Sequence, residues 1–91
     1  MKKLRLIVLG KVQGVYYRVS TKQVADSLGL FGWVRNRRDG SVEIEAHGPA
    51  EKLDLFIAWA KKGPPMSRVD ELIRYDALEE GYSDFTIKST V

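Results

Sequence analysis

The chain has 91 residues, of which 44% are hydrophobic and 30% charged, so it can form one modest hydrophobic core but not two. It contains no cysteine, which excludes disulfide bonds, a thiolate nucleophile and a cysteine-ligated zinc site. No apolar run approaches the roughly 20 residues that span a bilayer, and the first residues do not form a signal peptide. We therefore expect a single cytoplasmic domain over residues 1–91 without a membrane partner.

The net charge of +3 is distributed unevenly along the chain. Residues 1–40 contain nine Lys or Arg against two Asp, whereas residues 41–91 contain six basic and ten acidic residues. A basic amino-terminal half favours a small anionic substrate or nucleic acid as its partner. Charge alone leaves both open, together with the plainer interpretation that many of these side chains are simply solvated.

The first predicted element is a strand over residues 4–9, a nearly continuous apolar run that suits a position near the sheet centre. It is followed by Gly10-Lys11-Val12-Gln13-Gly14-Val15-Tyr16-Tyr17-Arg18. The glycines allow a sharp turn that exposes backbone N–H groups, and Arg18 adds a planar, charged guanidinium. This combination is typical of an anion-binding loop, and phosphate is the ligand that suits it best.

A helix is predicted directly after this loop. Ser20 and Gln23 have the spacing of a capping box, which predicts that Ser20 is the N-cap and that the helix N-terminus points at the loop. Apolar residues recur at helical spacing up to Leu28, and Gly29 predicts a left-handed residue after the last turn.

Two segments of alternating polarity on either side of Arg38-Asp39-Gly40 predict a β-hairpin over residues 31–47. A two-residue turn would mix charged and apolar side chains on both faces of the hairpin. A three-residue loop with a left-handed glycine separates them, because it sets Val34 opposite Ile44. This register places Asn36 on the core side, either as a turn residue or as a group that positions water.

Pro49 suits the start of a second helix over residues 50–62, whose apolar stripe is widened by Leu55 and Trp59. The run Gly63-Pro64-Pro65 ends this helix. A more polar strand over residues 69–76 then suits a sheet edge.

A turn through residues 79–81 and a short strand over residues 85–88 complete the predicted elements. The order is βαββαβ plus a short C-terminal strand, which predicts an α+β fold with both helices on one face of a mostly antiparallel sheet. Right-handed crossovers place the first strand beside the second strand of the hairpin.

Two separated segments resemble the signatures of one family. Residues 8–18, which contain the glycine loop and Arg18, are similar to the first signature of the acylphosphatases. Residues 32–48, which begin Gly32-Trp33-Val34-Arg35-Asn36, resemble the second. The resemblance covers essentially the whole chain and implies a ferredoxin-like α/β sandwich. It also implies an acylphosphate phosphohydrolase that cleaves the carboxyl–phosphate bond of small acyl phosphates without a metal or other cofactor.

By position, the resemblance places the phosphate-binding arginine at Arg18 and the catalytic asparagine at Asn36. A neutral amide is not a base at neutral pH, so we expect Asn36 to orient the attacking water. Tyr17 stands where the family usually has phenylalanine, and its hydroxyl needs a partner if it is buried. The resemblance assigns substrate binding to the backbone amides of the loop residues Gln13, Gly14, Val15, Tyr16 and Tyr17.

Other functions have weaker support in the sequence. The chain has no Asp-x-Asp motif and no Walker-type Gly-Lys-Ser/Thr, and His47 is predicted to be an exposed strand residue rather than a phosphoryl carrier. RNA-recognition domains share the order of elements but place stacking aromatics on the two central strands, where this chain has Arg5, Ile7, Glu43 and Glu45. A regulatory domain that binds an anion without turnover stays open. We expect a monomer without a nucleic-acid partner.

Overall fold

The structure is a computed structural model that describes residues 2–77 and 82–91. The order of helices and strands is the one predicted, and the ferredoxin-like α+β fold is confirmed. The predicted turn at residues 79–81 lies outside the described residues. The elements in chain order are β1 (Lys2–Lys11), α1 (Tyr17–Ser27), β2 (Phe31–Asn36), β3 (Val42–Gly48), α2 (Ala50–Lys62), β4 (Arg68–Tyr75) and β5 (Phe85–Ile87).

The five strands form one sheet in the order β4-β1-β3-β2-β5. Every neighbouring pair is antiparallel except β2 and β5, which run parallel. The predicted pairing of β1 with β3 and the edge position of β4 are both confirmed. Because β1 and β2 are both antiparallel to β3, their carboxyl ends lie at the same end of the sheet.

The β2–β3 hairpin has the predicted three-residue register. Val34 pairs with Ile44 and Asn36 pairs with Val42. Gly40 has a backbone φ of 93°, which residues other than glycine rarely adopt. This positive φ is the one that the predicted three-residue loop requires at the glycine. The alternation of polarity in the two strands was sufficient to predict this register because a shift by one residue would expose the core side chains.

The core lies between the sheet and the two helices. Alternate residues of β1, represented by Leu6 and Val8, are fully buried on this face together with Phe56 of α2 and Ala25 of α1. Full burial of such a large aliphatic or aromatic side chain is worth about 1.5–3 kcal/mol. The prediction that Leu55 widens the apolar stripe of α2 is wrong, because this side chain is 57% exposed.

The face of the sheet without helices carries a charged network rather than open solvent. Glu43 is 4% exposed and accepts hydrogen bonds from Arg5 at 2.9 Å and from Arg35 at 2.8 Å. These contacts connect β1, β3 and β2 through one carboxylate. Of the side chains predicted on β1 and β3, Arg5 and Glu43 form an ion pair. The neighbouring strands add aromatic rings to this face, with the Arg5 guanidinium 4.7 Å from the Tyr75 ring centroid and the Arg35 guanidinium 4.5 Å from that of Trp33.

The prediction that His47 is exposed is wrong. Its side chain is half-buried, not exposed, and its ring is edge-on to Tyr82 at a centroid distance of 4.5 Å. The Tyr82 hydroxyl donates to Glu45, which is fully buried. The segment before β5 thus covers this part of the sheet, a long-range contact that strand periodicity does not report.

Candidate active site

A cavity of about 350 Å³ lies at the end of the sheet where the chain leaves β1 and enters α1. It brings together Arg18 and Asn36, which the sequence analysis selected from separate segments. It also includes three of the five loop residues assigned to substrate binding. The cavity is lined by Val12, Gly14, Tyr16, Tyr17, Arg18, Val19 and Asn36.

The loop between β1 and α1 owes its shape to two left-handed residues. Gly14 has a φ of 73° and Tyr16 a φ of 64°. Glycine adopts this conformation freely, whereas for a residue with a Cβ it costs roughly 1–2 kcal/mol of conformational energy. Backbone strain of this kind is concentrated at functional sites, because it persists only where the surrounding structure maintains it.

Helix α1 begins at Tyr17, so the capping box predicted at Ser20 is wrong. Left-handed Tyr16 is the N-cap, and it turns the chain into the helix before Ser20 is reached. The Ser20 N–H donates to the Tyr16 carbonyl at 3.0 Å. The N–H groups of Tyr17, Arg18 and Val19 therefore precede the helical hydrogen-bond ladder.

No side chain in the described part of the chain caps this helix N-terminus, and its first turn contains no acidic residue. The positive end of the helix dipole and three backbone donors are thus left for another anion. Arg18 lies within that first turn and not ahead of it, which places its guanidinium and these N–H groups at one wall of the cavity.

The guanidinium of Arg18 is half-buried and makes no ion pair with any residue in 2–77 or 82–91. Arg5 and Arg35, in contrast, both donate to Glu43. A guanidinium has five donors in a rigid fork that fits two oxygens of a phosphoryl group. The structure therefore leaves this arginine available for an anion in the cavity.

Asn36, the last residue of β2, contributes a buried acceptor. Its Oδ1 has no hydrogen-bond partner among the described residues, which costs about 1–3 kcal/mol if nothing else pairs with it. Its backbone is fixed on both sides, by pairing with Val42 and by the N–H of Val91, which donates to the Asn36 carbonyl at 3.1 Å. The backbone that carries this amide is thus fixed at the wall of the cavity, and the side chain offers one oxygen that a ligand or water can satisfy.

Gln13 and Val15, which the resemblance assigned to substrate binding, have side chains outside the cavity lining. The Gln13 Nε2 donates to the carbonyls of Arg37 at 2.7 Å and Ser41 at 2.8 Å. Val15 is 7% exposed and packs in the core. Both side chains fix the loop, and Gln13 connects it to the hairpin that carries Asn36.

Val12 and Val19 line the cavity but were not selected from the sequence. Val12 lies inside the glycine loop, so its position in the sequence already pointed to the cavity. Val19 is 46% exposed on the first turn of α1, and only the true helix start reveals that it faces the cavity.

The hydroxyl of Tyr17 has the partner that its burial requires. It donates to the carbonyl of Ala60 at 2.7 Å, and burial raises the pKa of this phenol. In a continuing helix this carbonyl would accept from the residue four positions later, but Pro64 has no N–H. Tyr17 therefore completes the end of α2, and its ring contacts Trp59 at a centroid distance of 5.5 Å.

Replacing Tyr17 with Phe is expected to lower the free energy of unfolding by about 1–2 kcal/mol, because it leaves the buried Ala60 carbonyl unpaired. The shape of the loop should be unchanged, since the ring that packs behind it is retained. Urea denaturation measures the change, with Tyr16→Phe at the 76% exposed neighbouring tyrosine as the matched control. Equal stability of the two variants would contradict this role for the hydroxyl.

The same contact has a pH signature. A phenol whose pKa is raised on folding contributes stability fully below the unfolded value of about 10, and this contribution is lost as the pH rises above it. The wild-type protein should therefore lose stability above about pH 10 more steeply than Tyr17→Phe.

The strand order and the two helices on one face define a small ferredoxin-like α+β domain. Its glycine loop, helix start and adjacent arginine form a cavity whose donors suit an anion. A sequence model of the acylphosphatase family matches residues 4–87, and the chain belongs to that family. A curated acylphosphatase of Methylococcus capsulatus is 46% identical over 88 residues, which cover 96% of each chain. A solved acylphosphatase structure from Bacillus subtilis has a TM-score of 0.92 at 42% identity and covers 97% of this chain and 99% of its own.

A second solved acylphosphatase, from Coxiella burnetii, has a TM-score of 0.90 at 36% identity and covers 96% of this chain and 92% of its own. The helices in the described part of the chain are too short and too polar to cross a membrane.

Proposed function

We propose that this protein is an acylphosphatase that hydrolyses acyl phosphates to carboxylate and phosphate without a metal ion. Its family and fold support the activity. The observation that supports it most directly is that Arg18, the start of α1 and Asn36 line one and the same cavity. Small acyl phosphates are the proposed substrates, and a cytoplasmic monomer without a nucleic-acid partner remains our expectation.

An acyl phosphate already carries a good leaving group, because the departing carboxylate is a weak base. The protein must therefore bind the phosphoryl group, stabilise the charge on its oxygens and hold a water molecule in line with the scissile bond. Arg18 and the first N–H groups of α1 supply the first two. Each charge-assisted hydrogen bond is worth about 1.5–3 kcal/mol, so two or three of them account for several powers of ten in rate.

Asn36 supplies the third requirement. Its unpaired Oδ1 accepts a hydrogen bond from the attacking water and fixes the direction of the water lone pair. The water oxygen forms the new bond to phosphorus, and the bond from phosphorus to the acyl oxygen breaks. The carboxylate leaves with the electron pair, and the water proton passes to the phosphate product or to solvent.

A hydrolysis assay with benzoyl phosphate in the presence of EDTA tests this function. We expect activity that is unchanged by the chelator, because the positive charge in the mechanism comes from Arg18 and the helix N-terminus. Inorganic phosphate should inhibit competitively. Binding of phosphate without turnover of any acyl phosphate would instead favour the regulatory anion-binding domain, and activity lost in EDTA but restored by a divalent cation would contradict metal independence.

A further inference from the structure

A second cavity of about 590 Å³ lies between α1 and the turn that follows α2. It has no assigned role, and none of the residues that line the smaller cavity lines it. We name it the α1–α2 groove. It is lined by Ser20, Gln23, Val24, Trp59, Lys62, Gly63, Pro64, Pro65 and Ser67.

The groove lies next to the smaller cavity. Tyr17 lines the smaller cavity, and its ring contacts Trp59 and lies so close to Gly63 that an added Cβ would be 3.0 Å from it. At the surface, Ser20 of the groove lies one helical turn after Tyr16 of the smaller cavity. One turn of helix corresponds to about 5–6 Å, which is within the length of a substrate molecule.

The α1–α2 groove lies in a direction from the smaller cavity that suits the acyl group leaving the phosphorus. One wall of the groove is α1, which packs against β2 and β5, and the other wall is the end of α2 with the segment that leads into β4. The start of β4 pairs with the end of β1 at Lys11, so this second wall lies at the same end of the sheet as the smaller cavity, whereas Asn36 lies on β2. In an in-line displacement the leaving group departs on the side of phosphorus away from the attacking water. With water at Asn36 under the proposed function, the acyl group projects away from β2, and the wall of the groove that leads into β4 lies on that side of the sheet.

The lining indicates the kind of acyl group. The half-buried indole of Trp59, the side chain of Val24 and two prolines offer an apolar surface, and Lys62 is the one charged residue in the lining. Lys62 makes no ion pair with any residue that the structure describes. An apolar surface with one cation at its edge suits an aromatic or aliphatic group that ends in a negative charge.

We propose that the α1–α2 groove binds the acyl group of the substrate and favours acyl phosphates with an apolar body and a second, distal anionic group. This proposal rests on the proposed function, because it places the phosphoryl group at Arg18. Trp59 contacts the acyl body, and Lys62 pairs with the distal charge. Both residues determine specificity and do not take part in the hydrolysis itself.

The experiment compares kcat/KM for acetyl phosphate, benzoyl phosphate and 4-carboxybenzoyl phosphate. Trp59→Leu should lower the value for benzoyl phosphate about fivefold to tenfold and change acetyl phosphate less than twofold, because acetyl is too short to reach the groove. Gln23→Trp fills the groove from an exposed position and should have the same effect without a change in the core. Leu55→Ala, exposed on α2 outside the groove, is the control.

The distal charge is tested by a pair of adjacent lysines. Lys62→Gln should lower kcat/KM for 4-carboxybenzoyl phosphate about fivefold and leave benzoyl phosphate unchanged, whereas Lys61→Gln, outside the groove lining, should alter neither. Equal effects of the two lysine variants would overturn the role of Lys62.

Two results overturn the proposal for different reasons. Equal losses for acetyl and benzoyl phosphate in both Trp59→Leu and Gln23→Trp, with an active wild-type protein, would show that the groove does not hold the acyl group. Failure of the wild-type protein to hydrolyse any of the three substrates would overturn the proposed function, and the groove proposal with it.

Discussion

Replacement of Arg18 with Lys should lower kcat/KM for benzoyl phosphate by about a hundredfold or more. Lysine keeps the positive charge but has no planar fork, so it loses the paired hydrogen bonds to two phosphoryl oxygens. Arg18 has no ion pair with the described residues, so the substitution disturbs no structural contact of this kind. Steady-state kinetics gives the rate, and calorimetric titration with inorganic phosphate gives the loss of anion binding.

The control for this substitution is Arg38→Lys, because Arg38 is an exposed arginine of the hairpin loop outside the cavity lining. Its kinetics should match the wild-type protein. Unchanged phosphate binding and turnover in Arg18→Lys would overturn the role proposed for this side chain.

Asn36→Ala should lower kcat by about a hundredfold with little change in KM, because it removes the group that orients water and leaves the phosphate contacts in place. The same substitution should maintain or raise the free energy of unfolding. It removes a buried oxygen that has no partner among the described residues, a defect that costs about 1–3 kcal/mol. Kinetics and urea denaturation of the same preparation measure both effects.

A lower kcat together with a higher free energy of unfolding would show that Asn36 serves catalysis and lowers the stability of the fold. A variant that loses activity and stability together would instead show that the amide has a structural role in the hairpin. Turnover equal to that of the wild-type protein under saturating substrate would contradict the water-positioning role.

The hairpin and helix α2 could be predicted from the sequence because local patterns determine them. Alternating polarity allows one register that buries Val34 and Ile44 together, and the structure has that register. Pro49 and the Gly63-Pro64-Pro65 run likewise gave the bounds of α2 as they are observed, since backbone restrictions at proline and glycine act within a few residues.

The start of α1 could not be predicted in the same way. The Ser20 and Gln23 spacing is that of a capping box, but both residues lie inside the helix. The actual start depends on Tyr16, a residue whose left-handed conformation costs energy and has no signal in the sequence. That conformation is maintained by contacts distant in sequence, among them those of Gln13 with the hairpin and of Tyr17 with α2.

The sequence by itself therefore determined the family, the order of elements and the two polar residues, Arg18 and Asn36, that face one cavity. The tertiary structure decided which groups are available there. Among residues 2–77 and 82–91, Arg18 has no ion pair, the start of α1 has no side-chain cap and the buried Asn36 Oδ1 has no hydrogen-bond partner. The reason is physical. Local periodicity specifies which face of a strand or helix is buried, but whether a polar group is paired depends on chain segments that meet only after folding.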